Sequence, residues 1–145
     1  MSTTDGISLE REERYREKLE KLEELIRDLE EWHTGAKDLL KDKAMRRAVY
    51  KSFQEAAEVV SDLCAMYLSD AGKVLGDDSD NIEKAAGDLF DSGLRDGMLE
   101  VNGLRNRVVH DYNGFDDRTA LESIPSRLGD IRSFRQEVEE WVESS

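Results

Sequence analysis

Hydrophobic positions along this chain recur at alternating three- and four-residue steps almost from end to end, the period of helices with one buried face. After Ser8, a ready N-cap, Tyr15, Leu19, Leu22, Ile26, Leu29 and Trp32 fall on one side of a long run whose other side is mostly Glu, Lys and Arg. A coiled coil uses similar spacing, but about three heptads is short for one, so a bundle helix is expected. Gly35 and its polar neighbours mark a joint, and Leu39 and Leu40 keep the next stretch packed. A second long helix is predicted from about Asp42 to Ala71, with Met45, Val49, Phe53, Ala56, Val60, Leu63 and Tyr67 inward and Gly72 and Gly76 ending it.

A shorter helix follows, with Asp80 read as its N-cap and Glu83 three residues on as the second half of a capping box. Its inward set is Ile82, Ala85, Ala86, Leu89 and Phe90, and Gly93 closes it. A fourth helix is predicted from about Gly97 to Tyr112, stopped by Asn113-Gly114, with Met98, Val101, Leu104, Val108 and Val109 inward. The last helix is capped by Asp116 or Asp117 and buries Leu121, Ile124, Leu128, Ile131, Val138 and Trp141. Pro125 lies inside that pattern, which predicts a kink or a broken first turn. With no internal repeat and no linker, the expected fold is all-α: a bundle of four to five helices with up-down packing. It is read as a single domain over 1–145, with 1–7 as a frayed tail.

Composition agrees and narrows the chemistry. Hydrophobic and charged residues each make up 38% of the 145 residues, and there is one proline, a balance that suits helices. The lack of an apolar span and of a signal peptide's apolar core leads to the expectation of a cytoplasmic protein away from membranes. Cys64 is the only cysteine, so no intrachain disulfide can form, and its apolar neighbours make it a packing residue. His33 and His110 cannot hold a metal by themselves, and Asp77, Asp78 and Asp80 read as a solvated turn, so neither metal nor cofactor is expected.

The net charge of −13 argues against indiscriminate nucleic-acid binding. Its distribution is uneven, however, since Lys41, Lys43, Arg46, Arg47 and Lys51 face Asp42 alone between positions 41 and 51. Lys43, Arg47 and Lys51 share a helical face. That stripe either balances the acidic first helix, the plainer explanation, or tracks a phosphate backbone, which makes Arg46, Arg47 and Lys51 candidate RNA contacts.

The run from Leu104 to Tyr112 carries the most specific chemistry. Four residues separate Arg105 from His110, and Asn106 lies one turn before the histidine on the same face. A permanently charged guanidinium and an imidazole that titrates near neutrality suffice to transphosphorylate RNA without a metal. A base takes the 2′-hydroxyl proton, the oxygen attacks the adjacent phosphorus, and an acid protonates the leaving 5′-oxygen while arginine steadies the phosphorane charge. DNA lacks the internal nucleophile. Because the chain offers one plausible catalytic histidine and the reaction is best served by two proton carriers, a symmetric dimer apposing two copies is expected. From spacing alone the plainer explanation prevails: a histidine at a helix end, and an arginine paired with Asp111 or Glu100.

The whole run Gly-Leu-Arg-Asn-Arg-Val-Val-His-Asp-Tyr at 103–112 resembles the signature of the HEPN superfamily, and specifically that of HepT-like toxins: Arg, four residues, His, any residue, Tyr. The stretch from Met45 to Glu58 resembles the family's second helix, 88–94 its approach to the motif, and Phe115-Asp116 its link to the final helix, so the likeness covers about 10–142. The resemblance implies a HEPN-type bundle that dimerises with the motif helices facing one another, and a metal-independent endoribonuclease acting as the toxin of a toxin–antitoxin pair. It implies Arg105 and His110 as the catalytic pair, Asn106 as a supporting polar residue, and a nucleotidyltransferase antitoxin of the MNT type as partner. That partner silences such toxins by transferring AMP to the motif tyrosine, here Tyr112. The alternative is a non-catalytic HEPN module that binds a nucleotide or protein beside a nucleotidyltransferase.

Overall fold

The computed structural model describes residues 8–110 and 116–145. Its helices are α1 (Leu9–Trp32), α2 (Ala36–Lys41), α3 (Lys43–Asp70), α4 (Asp78–Ala85), α5 (Arg95–His110) and α6 (Asp117–Ser144), with a single 3₁₀ turn at Ser92–Leu94 before α5. The four long helices close a ring in chain order: α1 packs on α3, α3 on α5, α5 on α6, and α6 back on α1. This is the expected up-and-down bundle, with α2 and α4 as short additions at its ends. The expected tail at 1–7 and the Asn113-Gly114 stop lie outside the described residues.

The periodic apolar residues fill the ring's interior. Tyr15, Leu22, Ile26, Phe53, Leu63, Ile131 and Phe134 have no measurable exposure. Trp141 of α6 meets Tyr15 of α1 and Tyr67 of α3 edge-on, with ring centroids 5.3 and 5.5 Å apart. Such edge contacts orient the positive ring rim at a negative face. Cys64 is fully buried, and that burial, aided by the nearby Asp78 charge, pushes its thiol up to about 12. It is a packing residue, as expected.

Helix ends follow side-chain chemistry. Ser8 Oγ accepts from the Arg11 amide at 3.2 Å and Asp42 Oδ1 from the Met45 amide at 3.0 Å. Gly72, at φ +74°, closes α3 with the Gly72 amide on the Ser69 carbonyl and the Lys73 amide on that of Leu68, a Schellman arrangement. Asp116 caps α6 through the Thr119 amide at 3.2 Å. Asp117 instead accepts the Tyr50 hydroxyl at 2.5 Å.

Three expectations need correction. The N-cap of α4 is Asp77, not Asp80: Asp77 Oδ1 accepts from the Asp80 amide at 2.8 Å and Asp80 returns the bond to the Asp77 amide at 3.3 Å. Glu83 takes no part in that box. The helix also ends at Ala85 rather than running to Gly93, because Ala86 is extended and Gly87 turns back at φ +93°. Leu89 and Phe90 are buried all the same, from a turn closed by the Gly87 amide on the Phe90 carbonyl at 2.8 Å. Finally, α6 continues through Pro125, so the broken first turn, one of the two outcomes expected of that proline, does not occur. Proline removes the amide that would serve the Leu121 carbonyl four residues earlier. That carbonyl is served instead by His33 Nε2 from the end of α1, at 2.7 Å.

Candidate active site around Arg105

Arg105 leaves α5 toward α3, so the partner it finds lies 47 residues away in sequence. Its Nη2 donates to Glu58 Oε2 at 3.1 Å, and its Nη1 donates to Asn106 Oδ1 at 3.0 Å. The expected pairing with Glu100 does not occur, since Glu100 pairs with Arg127 of α6. The buried Arg105 Nε has no hydrogen-bond acceptor among the described residues. Leaving such a donor unmet costs about 1–3 kcal/mol.

Glu58 is the residue that sequence reasoning missed. In the linear pattern it belongs to the solvated side of α3, and only the packing of α5 on α3 brings it to Arg105. The same Oε2 accepts from Gln54 Nε2, one turn back, at 3.1 Å. Partial burial alone would raise the Glu58 carboxyl. The hydrogen bonds from Gln54 and Arg105, then the charges of Arg105 and Lys51, outweigh that burial and hold it below the ordinary value. Glu58 is therefore ionised at neutral pH, and the pair is a charge-assisted bond.

Asn106 is exposed on α5 and carries its oxygen to Arg105. The described part of α5 reaches His110, and Tyr112 lies outside the described residues. On the flank of the site, Arg47 and Lys51 are exposed on α3 and make no ion pair among the described residues. Lys43 is exposed on the same face. Arg46 points elsewhere: its Nη1 donates to the Leu39 and Leu40 carbonyls at 3.0 and 3.1 Å, sealing the end of α2, and its Nε lies 3.9 Å from Asp117. The candidate RNA contact at Arg46 is thus engaged in joining α2, α3 and α6.

A sizeable cleft lies elsewhere. It measures about 680 Å³ and runs between α5 and α6 past Leu99, Gly103, Arg107, Ser123 and Arg127. Arg105 is two residues from Gly103 and from Arg107, and therefore on the far side of α5 from this cleft. Size does not mark the chemistry here; the guanidinium with its fixed acceptors does. Among the described residues no three carboxylate, imidazole or thiol side chains converge as a metal-ligand cluster, and no helix is long and apolar enough to cross a membrane.

Comparison with known proteins agrees with this architecture. The family described as Ribonuclease HepT-like matches residues 16–138. One Archaeoglobus fulgidus protein, named as a candidate RNase, is 32% identical over 135 residues, covering 92% of this chain and 96% of its own length. A second protein of that organism with the same name is 36% identical over 104 residues, covering 71% of this chain and 76% of the relative. The fold is also that of a tri-AMPylated Shewanella oneidensis HEPN toxin solved in complex with MNT antitoxin, at TM-score 0.80 and 18% identity, over 87% of this chain and 96% of that one. A toxin–antitoxin crystal structure with AMP-PNP aligns at TM-score 0.77 and 17% identity, over 86% and 96%. The bundle is therefore an all-α HEPN bundle, and the chain belongs to the HepT-like ribonuclease family.

Proposed function

We propose that the protein is the ribonuclease toxin of a toxin–antitoxin pair and cleaves RNA in the cytoplasm by metal-independent transphosphorylation. The observation that carries this reading is the state of Arg105. Two acceptors tether its terminal nitrogens, yet each nitrogen bears two hydrogens, so one N–H on each stays uncommitted among the described residues. Those two donors suit the non-bridging oxygens of a phosphodiester, whose charge grows as the 2′-oxygen adds. His110 carries the proton to the leaving 5′-oxygen, and Asn106 steadies Arg105 beside it.

His33 is already committed to the Leu121 carbonyl. One histidine per chain is then left for proton transfer, which favours a homodimer in which the second copy's His110 supplies the base. Arg47 and Lys51 lead the RNA backbone toward Arg105 along α3. The similarity to a tri-AMPylated HEPN toxin solved in complex with MNT antitoxin supports an MNT-type partner here, with Tyr112 as the hydroxyl that accepts AMP. Added phosphate would crowd the surroundings of Arg105 with negative charge and repel RNA.

The test is cleavage of labelled RNA by purified protein in EDTA. His110→Ala is expected to lower the rate by at least about a hundredfold, the scale of losing an acid–base group. Undiminished cutting by that variant would remove His110 from the mechanism. If neither protein cuts RNA while His110→Ala weakens nucleotidyltransferase binding, a non-catalytic docking module is the better description.

A further inference from the structure

Within the ribonuclease reading above, we infer that Glu58 is a positioning residue, whose carboxylate on α3 sets the orientation of the Arg105 guanidinium that meets the scissile phosphate. Arginine's long stem gives it many rotamers, and an arrangement off by about 1 Å can cost about a hundredfold in rate. Arg105 escapes that freedom by three restraints from two helices. Asn106 holds Nη1 from α5, Glu58 holds Nη2 from α3, and the Nε end is buried. Glu58 is held in turn by Gln54, so the chain of contacts runs Gln54–Glu58–Arg105–Asn106.

Two other roles for the carboxylate fit less well. As a stabilising ion pair it is poorly placed, because the Glu58 side chain is 42% exposed and exposed pairs contribute little. The helices α3 and α5 pack together and each buries apolar residues of its own, Ala57 and Val60 on α3 and Val101 and Leu104 on α5. As a competitor for substrate it would need to occupy the donors that a phosphate uses. It takes one hydrogen of Nη2 and leaves one on each terminal nitrogen. A fixed anion beside the guanidinium does weaken ground-state attraction for phosphate, so a positioning role carries a signature: removing the carboxylate lowers kcat without raising KM.

The experiment uses the full chain and a short labelled single-stranded RNA of mixed sequence. Glu58→Ala is expected to reduce kcat by about 10- to 100-fold with KM unchanged or lower. Glu58→Gln keeps an oxygen able to accept from Nη2 and is expected to recover part of that loss. Glu58→Met, which keeps the side chain's length but offers no oxygen to Nη2, carries the test if the alanine variant fails to fold. A kcat within about twofold of wild type in the folded variants overturns the inference, as does a rise in kcat. A second readout does not depend on catalysis: the Arg105 Nε–H resonance, assigned by its loss in Arg105→Lys, is expected to shift or broaden in the Glu58 variants. If it keeps its position and its exchange rate, Glu58 does not position Arg105. Should the wild type cut no RNA, the nuclease reading fails, and this resonance alone decides whether Glu58 orders the side chain.

Discussion

Replacing His33 with alanine should destabilise the bundle through a single carbonyl. Pro125 denies the Leu121 carbonyl its helical donor, and His33 Nε2 supplies one at 2.7 Å from the end of α1. Leu121 is fully buried, so loss of the imidazole strands an acceptor away from bulk water, at a cost of about 1–3 kcal/mol. A cleft of about 390 Å³ lies against His33 and Pro125 and could admit a water to that carbonyl. The expected loss is therefore at the lower end, about 1–2 kcal/mol, a substantial part of a typical domain's ~5–15 kcal/mol. Urea unfolding with an unchanged slope measures it. The decisive arm is a double-mutant cycle with Pro125→Ala, which restores an amide at 125 to the same carbonyl. In that background His33→Ala should cost less than about 0.5 kcal/mol, whatever Pro125→Ala does alone. An equal cost in both backgrounds would refute this account of how α6 tolerates its proline.

Other predictions follow from charge and burial. The double variant Arg47→Ala, Lys51→Ala should flatten the dependence of log affinity for single-stranded RNA on log salt by about 1.4, near 0.7 per lost phosphate contact; an unchanged slope removes the α3 stripe from the RNA path. Arg46→Ala should leave that slope alone and instead lower stability by about 1 kcal/mol, by stranding the Leu40 carbonyl and leaving that of Leu39 with the Asp42 amide alone, as thermal unfolding can check. Alkali should act through Tyr15, which burial, then its 2.7 Å bond to Asp70, holds far above the ordinary phenol value. A raised folded pKa means full stabilisation below the unfolded value near 10 and progressive loss above it, amounting to about 2–3 kcal/mol by pH 12. Tyr15→Phe should lack that alkaline loss, and a parallel pH profile would contradict the assignment.

What could be read from the chain follows the range of the interactions. The 3–4 spacing from Tyr15 to Leu29 and from Met45 to Tyr67 states which faces are buried, so α1 and α3 were legible almost to the residue. The start of α4 was not, because Asp77 and Asp80 are three apart and Asp80 and Glu83 are too, and both pairs satisfy the same capping pattern. Leu89 and Phe90 keep helical spacing yet sit in a turn, because a burial pattern does not report the backbone reversal at Gly87. Arg105 and Asn106 stood out because they adjoin a histidine in one short run. Their partner Glu58 did not, because a glutamate on a polar helix face looks the same whether it meets water or a guanidinium from another helix. The roles of Arg46 and His33 were hidden because each serves the backbone of another helix, Arg46 the end of α2 just before its own and His33 the Leu121 carbonyl 88 residues on.

The most direct test of the central claim is a single 2′-deoxy substitution in an RNA oligonucleotide that the wild-type protein cuts in EDTA. Transphosphorylation through Arg105 and His110 predicts products with 2′,3′-cyclic phosphate ends and no cleavage at the substituted nucleotide, with neighbouring sites still cut. Cleavage that persists at the deoxy position, with the 2′-hydroxyl gone, would contradict the account.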